Sequence, residues 1–280
     1  MKKHISTIVL VLIFFVGLSV LLYPTVSNYI NVRHSTQVIS NYDEAVAEMS
    51  EKDYSDYFEA ADEYNTALAN DPSAFAIPYK IENYNTTLDI TGTGIMGYIT
   101  IDKINVQLPI YHGTSEGVLE VGAGHLEGTS LPVGGESTHA VISAHRGLPS
   151  ATLFSNLDKL EVGDTFKITV LDKVLTYEVD DIAIVLPEEV DKLQIEEGKD
   201  LVTLLTCTPY GVNTHRLLVT GHRVATEEEE EELRVTAEAF KIEPIKTAPI
   251  MAIPLIVILL IIVLVKTRTK KTKRGEENDN

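Results

Sequence analysis

The sequence predicts a mainly β domain, a mostly antiparallel barrel or sandwich, entered through amphipathic helices and flanked by two membrane-spanning segments. Three features carry that prediction. Beyond Gly97, short runs rich in Val, Ile, Thr and Tyr alternate with clusters of Gly, Pro, Asp and Asn, the signature of strands joined by turns. From Thr36 to Leu68, apolar residues instead recur at three- and four-residue steps, the period of a helix with one buried face. Near each end lies an apolar run without a charged residue.

The first run, Ile5 to Leu22, follows Lys2 and Lys3. At ~1.5 Å per residue it crosses most of a ~30 Å hydrocarbon core. It continues into Leu21-Leu22-Tyr23-Pro24 with no small-x-small cleavage site, which favours an uncleaved anchor over a signal peptide. The second run, Ala248 to Val265, is followed by KTRTKKTKR. Basic residues on both outer flanks place both termini in the cytoplasm and the region between them outside. The expected layout is a cytoplasmic stub (1–4), an anchor (5–23), a helical region (24–69) and a linker with a possible lid (70–96). A β domain (97–224), an acidic linker (225–247), a second span (248–265) and a basic cytoplasmic tail (266–280) complete it.

The net charge is −18, and setting aside the basic ends leaves about −23 on the outer part, which argues against nucleic acid as a partner. The single cysteine does not suggest a disulfide scaffold. An outside location with no partner thiol leaves an intermolecular bond, a buried spectator or a reactive thiol. No cofactor or metal is expected.

In the helical region Val38, Ile39, Tyr42, Val46, Met49, Tyr54, Tyr57, Phe58, Ala61, Tyr64 and Leu68 form an apolar stripe along one helix or a pair. Its tyrosines read as a packing face. ANDPSAFAIPY, with two prolines and no period, reads as a loop. Strands follow at GYITI, INVQLPIY, HAVIS, FKITVL, VLTYEVDDIAIV, LVTLLTC and THRLLVTGHRV, with one short helix expected near Ala151 to Leu157. Glu227 to Glu232 then open the solvated linker.

Chemistry gathers at strand ends. Cys207 closes LVTLLTC where a buried strand emerges into the loop TPYGVNT. A nucleophilic thiol needs a base or a positive group within reach. Among eight histidines, His145 follows the strand HAVIS and precedes a Gly-Leu-Pro turn. His4 and His34 flank the first span, and His112, His125, His139, His215 and His222 read as structural or solvent-facing. Arg216 opens the next strand. Antiparallel pairing around TPYGVNT returns its guanidinium close to the sulfur, where it can donate to an oxyanion; the bland alternative is a surface arginine at a strand end.

TLLTC followed by Arg216 in THRLLV, and preceded by AHRGLP, resembles the sortases, membrane-anchored cysteine transpeptidases of Gram-positive bacteria. GAGHLEGTSLPVGG and SATLFSNLDKL resemble the class C, pilin-polymerising branch in particular, and a second span fits it. The resemblance covers roughly residues 36–224. It implies an eight-stranded sortase-type β-barrel with Cys207 as nucleophile, His145 as proton-transferring partner and Arg216 as stabiliser of oxyanion and substrate. It further implies cleavage of an LPXTG-like signal between Thr and Gly and transfer to the lysine amine of a pilin. A lone thiol then makes sense, because a second cysteine nearby would trap it as a disulfide outside the cell.

Class C sortases commonly carry a lid in which an Asp-Pro-aromatic tripeptide covers the active site. Here the nearest match is Asp71-Pro72-Ser73, which lacks the aromatic, while Ile77-Pro78-Tyr79 has an aromatic without the acid. The expectation is a weakened lid whose acid reaches Arg216, with Asp71 as a plain turn or capping residue the alternative. The rival functions are a housekeeping-type sortase that joins surface proteins to the cell-wall precursor, and a noncatalytic pilus-assembly scaffold that retains the fold.

Overall fold

The computed structural model describes residues 2–78 and 81–224. The acidic linker, the second span and the basic tail expected from the sequence lie outside the described residues. So does the second of the chain's two compact units, Glu230–Asn280; the first unit holds the helices and the barrel.

α1, Lys2–Ala47, is one helix, so the anchor and the start of the amphipathic stripe form a single element where the sequence predicts separate ones. Pro24 forfeits one backbone hydrogen bond inside it. No glycine or turn cluster follows to end the helix, and Ser35, Ile39, Tyr42 and Val46 bury one face at helical spacing against the domain. The Tyr42 hydroxyl donates to Met96 O (3.2 Å) and accepts from Leu171 N (2.8 Å). Before Tyr42 the apolar run is bare: Leu10, Ile13, Val16, Val20 and Leu21 are all exposed, and this helix is long and apolar enough to cross a membrane.

α2, Glu51–Asn70, starts at Ser50, whose N–H and hydroxyl both donate to the Asp53 carboxylate. It buries Ala61, Tyr64, Asn65 and Leu68. Asn65 acts as a peptide mimic: Leu131 N donates to its Oδ1 (2.7 Å) and its Nδ2 donates to Leu131 O (3.2 Å). The tyrosine stripe is therefore a packing face at Tyr42 and Tyr64.

Eight strands close a barrel: β1 Ile95–Ile101, β2 Val106–His112, β3 Ala123–His125, β4 Thr138–Ser143, β5 Thr165–Val170, β6 Lys173–Val185, β7 Asp200–Thr208 and β8 His215–Arg223. Their order around the barrel is β1-β2-β3-β4-β7-β8-β6-β5. Six of the eight pairings are antiparallel, and β2 with β3 and β4 with β7 are parallel, so the barrel is mixed. A parallel pair needs a crossover, and the short helix α3, Glu116–Val121, supplies the one between β2 and β3. Ile99, Ile110, Ile142, Phe166, Ile168, Tyr177 and Val219 are among the fully buried core residues.

Two expectations are corrected. β3 lies inside GAGHLEGT, where the sequence predicts no strand. No α-helix forms near Ala151 to Leu157; Leu153 takes a φ of 40°, which breaks helical continuity, and a single 3-10 turn forms at Leu157–Lys159 instead.

Candidate active site

β7 and β8 are joined through the turn after Thr208, in which Pro209 O accepts from Val212 N (3.1 Å) and Asn213 N (2.9 Å). Gly211 and Asn213 take the left-handed conformation that reverses the chain, with φ of 74° and 60°. The register that results puts Cys207 directly opposite Arg216. His145 arrives from the other side of β7. β4 runs parallel to β7 with Ser143 opposite Leu205; Ala144 N donates to Leu205 O (3.2 Å), and Thr206 Oγ1 donates to Ala144 O (2.8 Å). The chain therefore leaves β4 at His145 level with the end of β7.

The loop after His145 is tied down. Phe154 N donates to His145 O (3.1 Å), Gly147 N to Ser155 Oγ (3.0 Å), and Arg146 pairs with Asp158 (2.5 Å). The Arg146 Nη1 is also 3.4 Å from Thr208 Oγ1, next to Cys207.

Cys207, His145 and Arg216, each half-buried, line one cleft of about 630 Å³. Its floor includes Leu205 and Leu218, and Leu186, Pro187, Val190 and Leu193 form one wall. Such a surface suits an extended peptide with apolar side chains. Arg216 Nη1 donates to Asn213 O (3.3 Å) and His215 O (3.1 Å). Among the described residues it makes no ion pair, and its Nη2 and Nε have no hydrogen-bond partner, so they can serve an oxygen of a bound ligand.

The lid residues are distributed differently from expectation. Asp71 does not line this cleft; its carboxylate accepts from Ser73 N (3.1 Å) and caps the 3-10 turn Pro72–Phe75. It lines a neighbouring cavity of about 380 Å³ instead. Phe75 lines both cavities, and Ala76 and Pro78 line the cleft. Phe75, two residues after Ser73, is the aromatic ring of this turn that reaches the cleft. The turn packs on Gly128, where a Cβ would sit 3.1 Å from Ala74 O and Phe75 O.

The remaining buried histidines are structural. His125 is fully buried; its Nδ1 faces the Tyr84 hydroxyl (2.9 Å) and its Nε2 faces Ser130 O (2.7 Å), and burial pushes its pKa down to about 4. His139 bridges Gln194 O (2.8 Å) and Thr203 Oγ1 (2.7 Å), and burial lowers its pKa too. Among the described residues no group of His, Cys, Asp and Glu can hold a metal ion.

Residues 99–224 match the family described as Sortase domain. Sortase C1 from Streptococcus agalactiae is 50% identical, superposes with a TM-score of 0.63, and its whole chain is covered by 68% of this one. The chain belongs to the sortase family. Streptococcus pneumoniae Sortase C is 47% identical with a TM-score of 0.62, covering 68% of this chain and 97% of its own. Among curated relatives, Sortase A of Streptococcus agalactiae is 34% identical over 117 residues, 41% of this chain. The match spans 47% of that relative's length, about half. Both of these solved neighbours of this sortase are class C enzymes.

Proposed function

We propose that this sortase is a membrane-anchored cysteine transpeptidase of the class C kind, which cleaves an LPXTG-like signal between Thr and Gly and joins it to a pilin lysine. The observation that carries the reading is the meeting of Cys207, His145 and Arg216 in one apolar cleft, with Arg216 opposite the thiol. Cys207 Sγ attacks the Thr carbonyl carbon while Arg216 donates to the developing oxyanion. The Thr–Gly bond breaks, and the thiol proton passes through His145 to the departing glycine amine, leaving a thioester on Cys207. A lysine amine then attacks that thioester and gives a proton to His145; the C–S bond breaks and the thiol is restored. No cofactor takes part. The catalytic domain lies outside the cell and both termini in the cytoplasm, an arrangement supported by the bare apolar stretch of α1 and the basic flanks of the two predicted spans.

The pilin acceptor is supported by the class C neighbours, one of which, from Streptococcus pneumoniae, is described in terms of pilin substrate specificity. The test is to incubate the full chain in micelles with LPXTG-bearing pilins from the same genome. Ladders that survive boiling in detergent, carry a Thr–Lys isopeptide and vanish in Cys207→Ala and His145→Ala support polymerisation. Transfer to a small amine without any ladder favours cell-wall anchoring, and no thioester at Cys207 overturns the enzyme.

A further inference from the structure

The anchor helix touches the loop that carries His145. Asn28 Oδ1 accepts both the backbone N–H of Thr152 (2.7 Å) and its hydroxyl (2.9 Å). Asn28 lies six residues beyond Leu22, where the apolar run ends, so it stands about 9 Å further along the helix axis. The polar layer of a bilayer extends roughly 5–7 Å beyond the hydrocarbon on each side. Thr152 is therefore held close to the outer edge of that layer.

The same loop buttresses the β7–β8 turn. Thr152 O accepts from Ser155 N (2.8 Å), Ser155 Oγ accepts from Gly147 N (3.0 Å), and a Cβ on Gly147 would lie 2.9 Å from the Tyr210 ring. The turn leaves Tyr210 and Val212 each 64% exposed. On α1, Val26, Tyr29 and Ile30, around Asn28, are also exposed. Tyrosine rings with an apolar body and a polar tip are suited to headgroup level. The chain's net charge of −18 would repel anionic lipid, so adhesion falls to these aromatic and aliphatic side chains.

We infer that the end of the barrel bearing the 145–158 loop and the β7–β8 turn rests on the bilayer surface, fixed there by the Asn28–Thr152 contact. The inference depends on α1 crossing the membrane, as proposed above. Its consequence is that Cys207 opens toward substrates presented at the membrane surface rather than in free solution.

The chain has no tryptophan, so one introduced residue is a unique reporter. Tyr210→Trp and, separately, Ile13→Trp are placed in the full chain and reconstituted in phosphatidylcholine vesicles that carry either a spin label on the headgroup or bromine at the acyl-chain ends. Tyr210→Trp should lose emission to the headgroup label and Ile13→Trp to the chain-end bromine, each relative to unlabelled vesicles. Adding Asn28→Leu, or the milder Thr152→Val, should reduce the loss at position 210 and leave position 13 unchanged. Quenching at 13 with none at 210 overturns the inference and leaves the anchor standing. No quenching at 13 overturns the anchor and the inference together. Quenching at 210 that neither Asn28→Leu nor Thr152→Val alters overturns the role given to the Asn28 contact.

Discussion

Acidification should destabilise this domain through His125. Its ring is fully buried against Tyr84 and Ser130, and its pKa falls from 6.5 to about 4 because burial penalises the charged form. The folded pKa is depressed, so between pH 6.5 and 4 the unfolded chain binds a proton that the folded one refuses. Stability therefore falls as pH drops through that window, is fully present above 6.5, and loses nothing more from this group below 4. From about pH 7 to 4.5 the loss is on the order of 2–3 kcal/mol, roughly two pH units at about 1.4 kcal/mol each. His139, also lowered by burial, adds in the same direction, whereas Asp43 and Asp200, raised by burial, act oppositely at the acid end. His125 is isolated by comparing urea melts of the full chain in micelles with those of His125→Gln, which can still donate to Ser130 O. The wild type should lose on the order of 2–3 kcal/mol more than the variant between the two pH values. Parallel pH dependences would refute the reasoning, because they would mean that the ring accepts a proton in the folded state.

Three further outcomes follow from the site and the helices. Arg216→Lys replaces a planar fork by a point charge and should lower turnover by about 10²- to 10³-fold with an unchanged melting temperature; near-normal turnover would make Arg216 structural. Phe75→Ala should speed alkylation of Cys207 by a thiol reagent several-fold, and Asp71→Ala, which removes the cap of the turn, should do so less. Equal labelling rates in all three proteins would dismiss the lid. Asn65→Ala strands the N–H and C=O of Leu131 beside α2 and should cost about 2–4 kcal/mol in urea unfolding, while a change below about 0.5 kcal/mol would show that water replaces the amide.

Every strand but β3 is legible in the sequence, because half-buried and buried strands concentrate Val, Ile and Thr between turn residues. β3 is not, since three residues in a glycine-rich stretch carry no period. Strand direction is equally silent: period two is the same in parallel and antiparallel pairs, so only the structure shows β4 running parallel to β7. The approach of Arg216 to Cys207 is legible because a short loop between adjacent strands leaves few registers. Placing His145 beside them relies on the resemblance of AHRGLP, since no spacing rule spans the 62 positions from His145 to Cys207. Phe75 as a cleft-lining ring is not marked by the Asp-Pro-aromatic pattern, because the 3-10 turn places it two residues beyond Ser73. Nothing in the sequence marks Asn28 as a partner of Thr152, because a polar residue on a helix looks the same whether or not it is docked.

The parallel pairing of β4 with β7 separates two tasks along the chain. Cys207, His145 and Arg216 stand on or beside adjoining strands of a closed barrel, where backbone bonds on both sides fix their spacing. The wall formed by Leu186, Pro187, Val190 and Leu193 belongs instead to the connection between β6 and β7, whose far end is tied to β4 through Gln194 O and Lys199 O. Its first part, Leu186 to Val190, makes no bond to β4 or β7 and can be rewritten while the sulfur keeps its neighbours. A designer wishing to redirect this protein to a new peptide would leave the strands and the Leu193–Lys199 stretch alone and graft the segment from Leu186 to Val190.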